Sequence, residues 1–181
     1  ENTLVTCENG DYAADLEIAE GRPEQPDFPE ELPKPEEVET PGQRTIEDVS
    51  QFLGVDPRAT AKAMPVIADG RVVLALVRGD DRLNEMKLLE ALGEGFRPAE
   101  PDEIRQAFGA SGGSIGPVGV SVDVIADEAL REGQYVVGAN RDDVHLRGVQ
   151  AARDYEPRFA DLREIREGDA CPTCGGHLHL Q

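Results

Sequence analysis

Apolar residues Ile46, Val49, Phe52 and Leu53 recur at helical spacing behind Thr45 and stop at Gly54, so TPGQRTIEDVSQFLG predicts a turn at Pro41-Gly42, a capped helix and its end. A second short helix is expected from Pro57, carrying Ala59, Ala61 and Lys62 toward a first strand, AMPVIA. At Asp69-Gly70 the chain turns back into RVVLALVRG, the signature of a β-hairpin. Helical period returns in LNEMKLLEAL and PDEIRQAF, the latter opened by Pro101 and Asp102 in favourable first-turn positions. Then follow VGVSVDVIAD, a short helix in DEALREG, the strand-like runs YVVGAN and HLRGV, and a last strand near ADLREI. This mixed order predicts an α/β or α+β domain with a mixed, largely antiparallel sheet flanked by helices, and no internal repeat is present.

The 181 residues suit one medium domain with tails. Residues 1–16 read as a strand-like or extended arm, and residues 17–39, dense in Glu and Pro, as an acidic linker that cannot build a core. Residues 40–166 hold the compact domain, and 167–181 a tail. The longest apolar runs, such as VVLALV, are strand-sized and far short of the ~18 residues of a membrane span, so a soluble cytoplasmic protein is expected. A net charge of −19, from 37 acidic against 18 basic residues, argues against a free-standing nucleic-acid binder, so any RNA contact must be local. Lysine occurs three times: Lys34 in the linker, Lys62, and Lys87, read as lying on an exposed helix face.

The loop GASGGSIGPVG exposes backbone N–H groups with little side-chain cover, which suits it to a carbonyl, an anion or an amino group; a long flexible turn is the plain alternative. Within it GGSIG matches the nucleophile-elbow pattern around Ser114, but small residues precede it and Pro117 and Gly119 follow, whereas an elbow needs a strand before and a helix after. No phosphate-binding or dinucleotide motif occurs. Taken singly, Asp127 reads as a cap of the following helix and His145 as a satisfied surface histidine. Cys171 and Cys174 form one CxxC with Cys7 remote; a zinc ribbon wants two pairs, or a pair plus well-spaced histidines, and His177 and His179 are crowded against this one. No metal ligand is assigned, and no disulfide framework is indicated.

The phrases ETPGQRTIEDVSQFLG, LALVRGDDRLNEMKL, GSIGPVG, VIADEAL, GANRDDVHLRGV and DLREIREGDACPTCGG, in that order over most of residues 39–176, resemble bacterial prolyl-tRNA synthetases. The leading CENGDYAADLE is similar to the segment before the domain inserted between the second and third class II motifs, and those motifs are missing here. The resemblance thus implies the excised editing domain, of the YbaK-like deacylase fold, with short arms of the catalytic domain at both ends. It implies hydrolysis of alanine mistakenly esterified to proline tRNA, because a pocket made for proline rejects a smaller residue by only ~1–3 kcal/mol.

Carried over by position, the family's essential lysine falls on Lys62, expected to hold the phosphate or ribose of the terminal adenosine. Its GxxxP loop falls on Gly113–Pro117, with Gly113, Ser114, Gly116 and Pro117 at the aminoacyl pocket and backbone amides placed to meet the ester. Asp127 and His145 match polar pocket positions, Gly138 and Asn140 are further binding positions, and Thr40 is a candidate for the rim. Val144 replaces a common tyrosine and VQAARDY the usual VNxGRDF, which affects pocket detail. The implied mechanism is direct attack by an oriented water, with no covalent intermediate, metal or cofactor; ATP and Mg belong to the missing synthetic site. The implied partners are the aminoacylated 3′ end of proline tRNA and the rest of a homodimeric synthetase, without a membrane. Rival readings are a free-standing trans-editing deacylase and a non-catalytic structural insertion. The arms oppose the first, and retention of Lys62, the GxxxP loop and His145 opposes the second.

Overall fold

The computed structural model describes residues 2–181. Its centre is a hairpin of β4 (Ala61–Ala68) and β5 (Arg71–Arg78), joined through Asp69 and Gly70, both at positive φ as a tight primed turn requires. β5 reads as a continuous apolar run because it is buried on both faces. It pairs in parallel with β7 (Asp123–Asp127), which pairs in parallel with β10 (Arg158–Ala160), while β4 pairs antiparallel with β6 (Phe96–Pro98), giving the five-stranded order β10-β7-β5-β4-β6. A second, antiparallel sheet sets β9 (Val144–Val149) between β3 (Glu36–Glu39) and β8 (Tyr135–Gly138). A bridge from Thr60 to Val136 joins the two sheets. Leu74, Leu76, Phe108, Ile115, Tyr135 and Val137 share one core between them, so the fold is mixed α/β with largely antiparallel sheets.

The helices form where local chemistry starts and stops them. Thr45 accepts from the Asp48 amide to open α1 (Ile46–Leu53), and Gly54 ends it in the left-handed region. Asn84 caps α2 (Glu85–Leu92), and Pro101 opens α3 (Pro101–Phe108). Beyond Pro57 the expected helix is a single 3₁₀ turn, Pro57–Ala59, because the Thr60 hydroxyl and amide both close back on the Pro57 carbonyl; Ala61 and Lys62 therefore belong to β4. DEALREG likewise gives only the 3₁₀ turn Glu128–Leu130, and the strand expected near ADLREI sits slightly earlier, at Arg158–Ala160, and is followed by a further strand near the end of the chain.

The acidic stretch expected as a linker runs over the body as a strap. Gln134 exchanges two hydrogen bonds with the Leu32 backbone, and β3 pairs with β9, where Arg147 and Arg141 meet Glu36 and Glu37. It builds little core, yet its backbone is satisfied by the body beneath it. The two ends of the chain meet in a third sheet, with β1 (Leu4–Cys7) between β2 (Ala13–Asp15) and β11 (Leu178–Leu180). Lys87, expected on an exposed face, is buried: its Nζ donates to the Ala19 and Arg163 carbonyls and to Asp161, at 2.7, 2.8 and 2.8 Å. These three acceptors come from distant segments, which helical period on α2 alone does not reveal. Among the described residues no helix is long and apolar enough to cross a membrane.

Candidate active site

A cavity of about 900 Å³ opens where α1, the Pro57 turn and the start of β4 face the glycine loop and the end of β8. Lys62, Gly113, Gly138 and His145 line it, so the structure brings together four of the residues expected at the site. Lys62 sits opposite Val77 in the register of β4 and β5 and is half-buried. Burial lowers its pKa, against the through-space pull of Asp81 and Asp80. A cation of this kind, set in a cavity wall, is arranged to meet an anion or a polar oxygen.

The glycine loop is held against β8 by backbone contact. A Cβ on Gly116 would stand 2.1 Å from the Gly138 carbonyl oxygen, and one on Gly138 would stand 2.3 Å from that of Ile115, so both positions need glycine. A Cβ on Gly113 would meet Arg44 at 2.9 Å. Asn140, at φ 59°, accepts from the Gly116 amide at 2.9 Å and donates to the Gly116 and Val118 carbonyls at 3.0 and 3.1 Å. Its role is to clamp the loop. The Ser114 amide donates to Ser111 and the Gly116 amide to Asn140, so two of the amides expected to face a substrate are already engaged. The Ser114 hydroxyl is buried and accepts from the Asp143 amide at 3.2 Å, a structural contact, and Pro117 is buried behind the loop.

His145 lies on β9 with its Nδ1 2.5 Å from the hydroxyl of Thr40. Burial lowers its pKa, and a contact with the Gly113 backbone opposes that shift. The Thr40 hydroxyl and Nδ1 share this hydrogen bond, which holds the ring in place. Thr40 is fully buried rather than on the rim, and its amide donates to the Asp143 carbonyl. Asp127 stands apart from the cavity lining: its carboxylate accepts from the amides of Ala129, Leu162 and Arg163, capping the 3₁₀ turn and tying down the chain after β10. Burial raises its pKa while the Leu162 and Ala129 amides lower it.

Sequence reasoning passed over Arg44, which is exposed and lines the cavity, its backbone packed against Gly113. Its position just before the Thr45 cap was the available signal. Arg44 and Lys62 together make a local cationic site in a chain of net charge −19.

The family model described as aminoacyl-tRNA editing domain matches residues 40–155. The chain is 43% identical to the proline–tRNA ligase of Geobacter sulfurreducens, over 99% of the chain and 32% of the ligase. It is 42% identical to that of Streptococcus mutans, over 98% of the chain and 30% of the ligase. It thus spans about a third of the length of the curated relatives it matches. A crystal structure of a candidate trans-editing enzyme for prolyl tRNA synthetase superposes with TM-score 0.64 at 24% identity, covering 72% of this chain and 87% of that one, a likeness of fold. With its cavity, glycine loop and cationic wall all inside the matched span, the chain belongs to the aminoacyl-tRNA editing domain family.

Proposed function

We propose that the chain is the editing insertion of a proline–tRNA ligase and that its cavity hydrolyses the ester of alanine mischarged on proline tRNA. The observation that carries this reading is the half-buried Lys62 sharing one cavity with the glycine loop, with Arg44 packed against Gly113, in a chain otherwise strongly acidic. Lys62 and Arg44 hold the phosphate and ribose of the terminal adenosine, and Gly113 and Gly138 admit the small aminoacyl group by backbone approach. Water adds to the ester carbonyl carbon and the bond from that carbon to the ribose oxygen breaks. The water's proton passes to the ribose oxygen, releasing alanine and uncharged tRNA. His145, held by Thr40, orients the water or the ester. Proline is excluded by size, which resolves what a single pocket built for proline discriminates by only ~1–3 kcal/mol. In this reading Asp127, Asn140, Ser114 and Thr40 position the site rather than touch substrate, and editing uses no cofactor. ATP and Mg serve the ligase's synthetic centre, in a homodimeric cytoplasmic enzyme whose remaining domains present the tRNA.

The test is release of amino acid from alanyl- and prolyl-tRNA, both on proline tRNA, by the chain alone and within the whole ligase, beside Lys62→Ala. Selective loss of alanine, abolished by the substitution, is expected. Undiminished deacylation by Lys62→Ala would overturn the assignment.

A further inference from the structure

Far from the cavity lining, three thiols and a carboxylate converge where the two ends of the chain meet. Cys7, Asp11, Cys171 and Cys174 place one ligand atom each within 4.8 Å of one another, although Cys7 and Cys174 are 167 residues apart. Cys7 Sγ lies 3.5 Å from Cys174 Sγ, and Asp11 Oδ1 lies 3.4 Å from Cys174 Sγ and 3.7 Å from Cys171 Sγ. A tetrahedral ion with Zn–S near ~2.3 Å and Zn–O near ~2.0 Å requires S···S of about 3.8 Å and S···O of about 3.5 Å. The spacings match, and all three cysteines are free thiols.

The surroundings are those of a metal knuckle. The amides of Asn9, Thr173 and Gly176 each donate to the sulfur two residues back, Cys7, Cys171 and Cys174, at 3.4 Å, and Asn9 Nδ2 adds a fourth N–H to Cys174. Such donors stabilise thiolate ligands. Left-handed Gly10 and Gly175 turn the two loops, and a Cβ on Gly176 would meet Asn9 Nδ2 at 2.6 Å, so the loops are tightly fitted. The histidines beside the CxxC are engaged elsewhere: His177 Nδ1 with the Gly168 carbonyl and His179 Nδ1 with Glu167. The fourth ligand atom in the cluster is the carboxylate oxygen of Asp11, from the opposite loop.

We infer that Cys7, Asp11, Cys171 and Cys174 bind one structural zinc ion that staples the entering and leaving strands of this domain. Binding displaces the thiol protons to solvent with no change of oxidation state. The sheet β11-β1-β2 has only a small core, built on Val5, Ala19, Ile165 and Leu178, and a metal is the usual supplement to so little buried apolar surface.

The chain, purified without chelator, should retain about one zinc per molecule by mass spectrometry after dialysis against a competing chelator. Cobalt in its place should show the intense visible bands of a tetrahedral site and a thiolate charge-transfer band. Cys171→Ser and Cys7→Ser should weaken retention by more than about tenfold, and His177→Ala should not. Asp11→Cys, which keeps the loop and adds a sulfur, should bind at least as tightly with a stronger charge-transfer band. A wild-type chain that retains no zinc, a weak octahedral cobalt spectrum, retention indifferent to both cysteine substitutions, or loss on His177→Ala would overturn the site.

Discussion

Gly116→Ala tests whether the active geometry is set by backbone contact between the glycine loop and β8. The new Cβ would stand 2.1 Å from the Gly138 carbonyl oxygen, 3.1 Å from its carbon and 3.3 Å from its nitrogen. The shortfall from ordinary 3.4 Å contact is about 1.3 Å, and it falls on backbone, which no rotamer change relieves. Forced overpacking of this kind costs ~1–3 kcal/mol, a fall in melting temperature of roughly 2–12 °C for a domain of this size. Displacing the loop by about 1 Å should slow alanyl-tRNA hydrolysis by ~10²-fold, since catalytic placement is sensitive on that scale. Gly112→Ala in the same loop is the control, because its Cβ would meet nothing within 4 Å. Thermal melts and single-turnover deacylation of both variants check the argument. A Gly116→Ala protein with wild-type melting and a rate within twofold would refute it.

Asn140→Ala should cost ~1–3 kcal/mol by stranding the Gly116 amide and two carbonyls, and Asn140→Gly, which relieves the positive φ, should lose editing just as severely; urea unfolding and deacylation separate the two effects. Burial holds His145 below its ordinary value of 6.5, so the unfolded chain takes up the proton first as pH falls. Its contribution to stability is therefore fully present above 6.5 and drains as the pH falls through the lowered folded value; His145→Gln should flatten the dependence of unfolding free energy below pH 6.5, and parallel curves would contradict this. Lys87→Met should destabilise by ~2–5 kcal/mol, measured by urea titration, because it leaves the Ala19 and Arg163 carbonyls and Asp161 unmatched, whereas a lysine on an exposed face would tolerate the change.

The parts of this domain legible in the sequence are those whose cause lies within a few residues. Thr45 and Gly54 bound α1, Asp69-Gly70 turns the central hairpin, and Pro101 opens α3, each through capping or dihedral preference of the residues themselves. RVVLALVRG reads as the return strand of that hairpin and is β5. One misreading arose where two hydrogen bonds decided the outcome: the Thr60 hydroxyl and amide closing on Pro57 moved Lys62 from a helix into β4, which is what sets it in the cavity wall.

The residue types and their order thus determined the family, the hairpin, the helices and the location of the glycine loop, because each is written in local periodicity, turn chemistry or motif. Tertiary structure alone assigned the work of individual side chains. It turned Asn140 into the clamp of the loop, Thr40 into the partner of His145, and Asp127 into a cap outside the cavity lining. It buried Lys87 among carbonyls 68 and 76 residues away and gathered Cys7 with Cys171 and Cys174 from opposite ends of the chain. Such contacts depend on where distant segments meet, and that is decided by strand pairing and core packing over the whole domain rather than by the preferences of neighbouring residues.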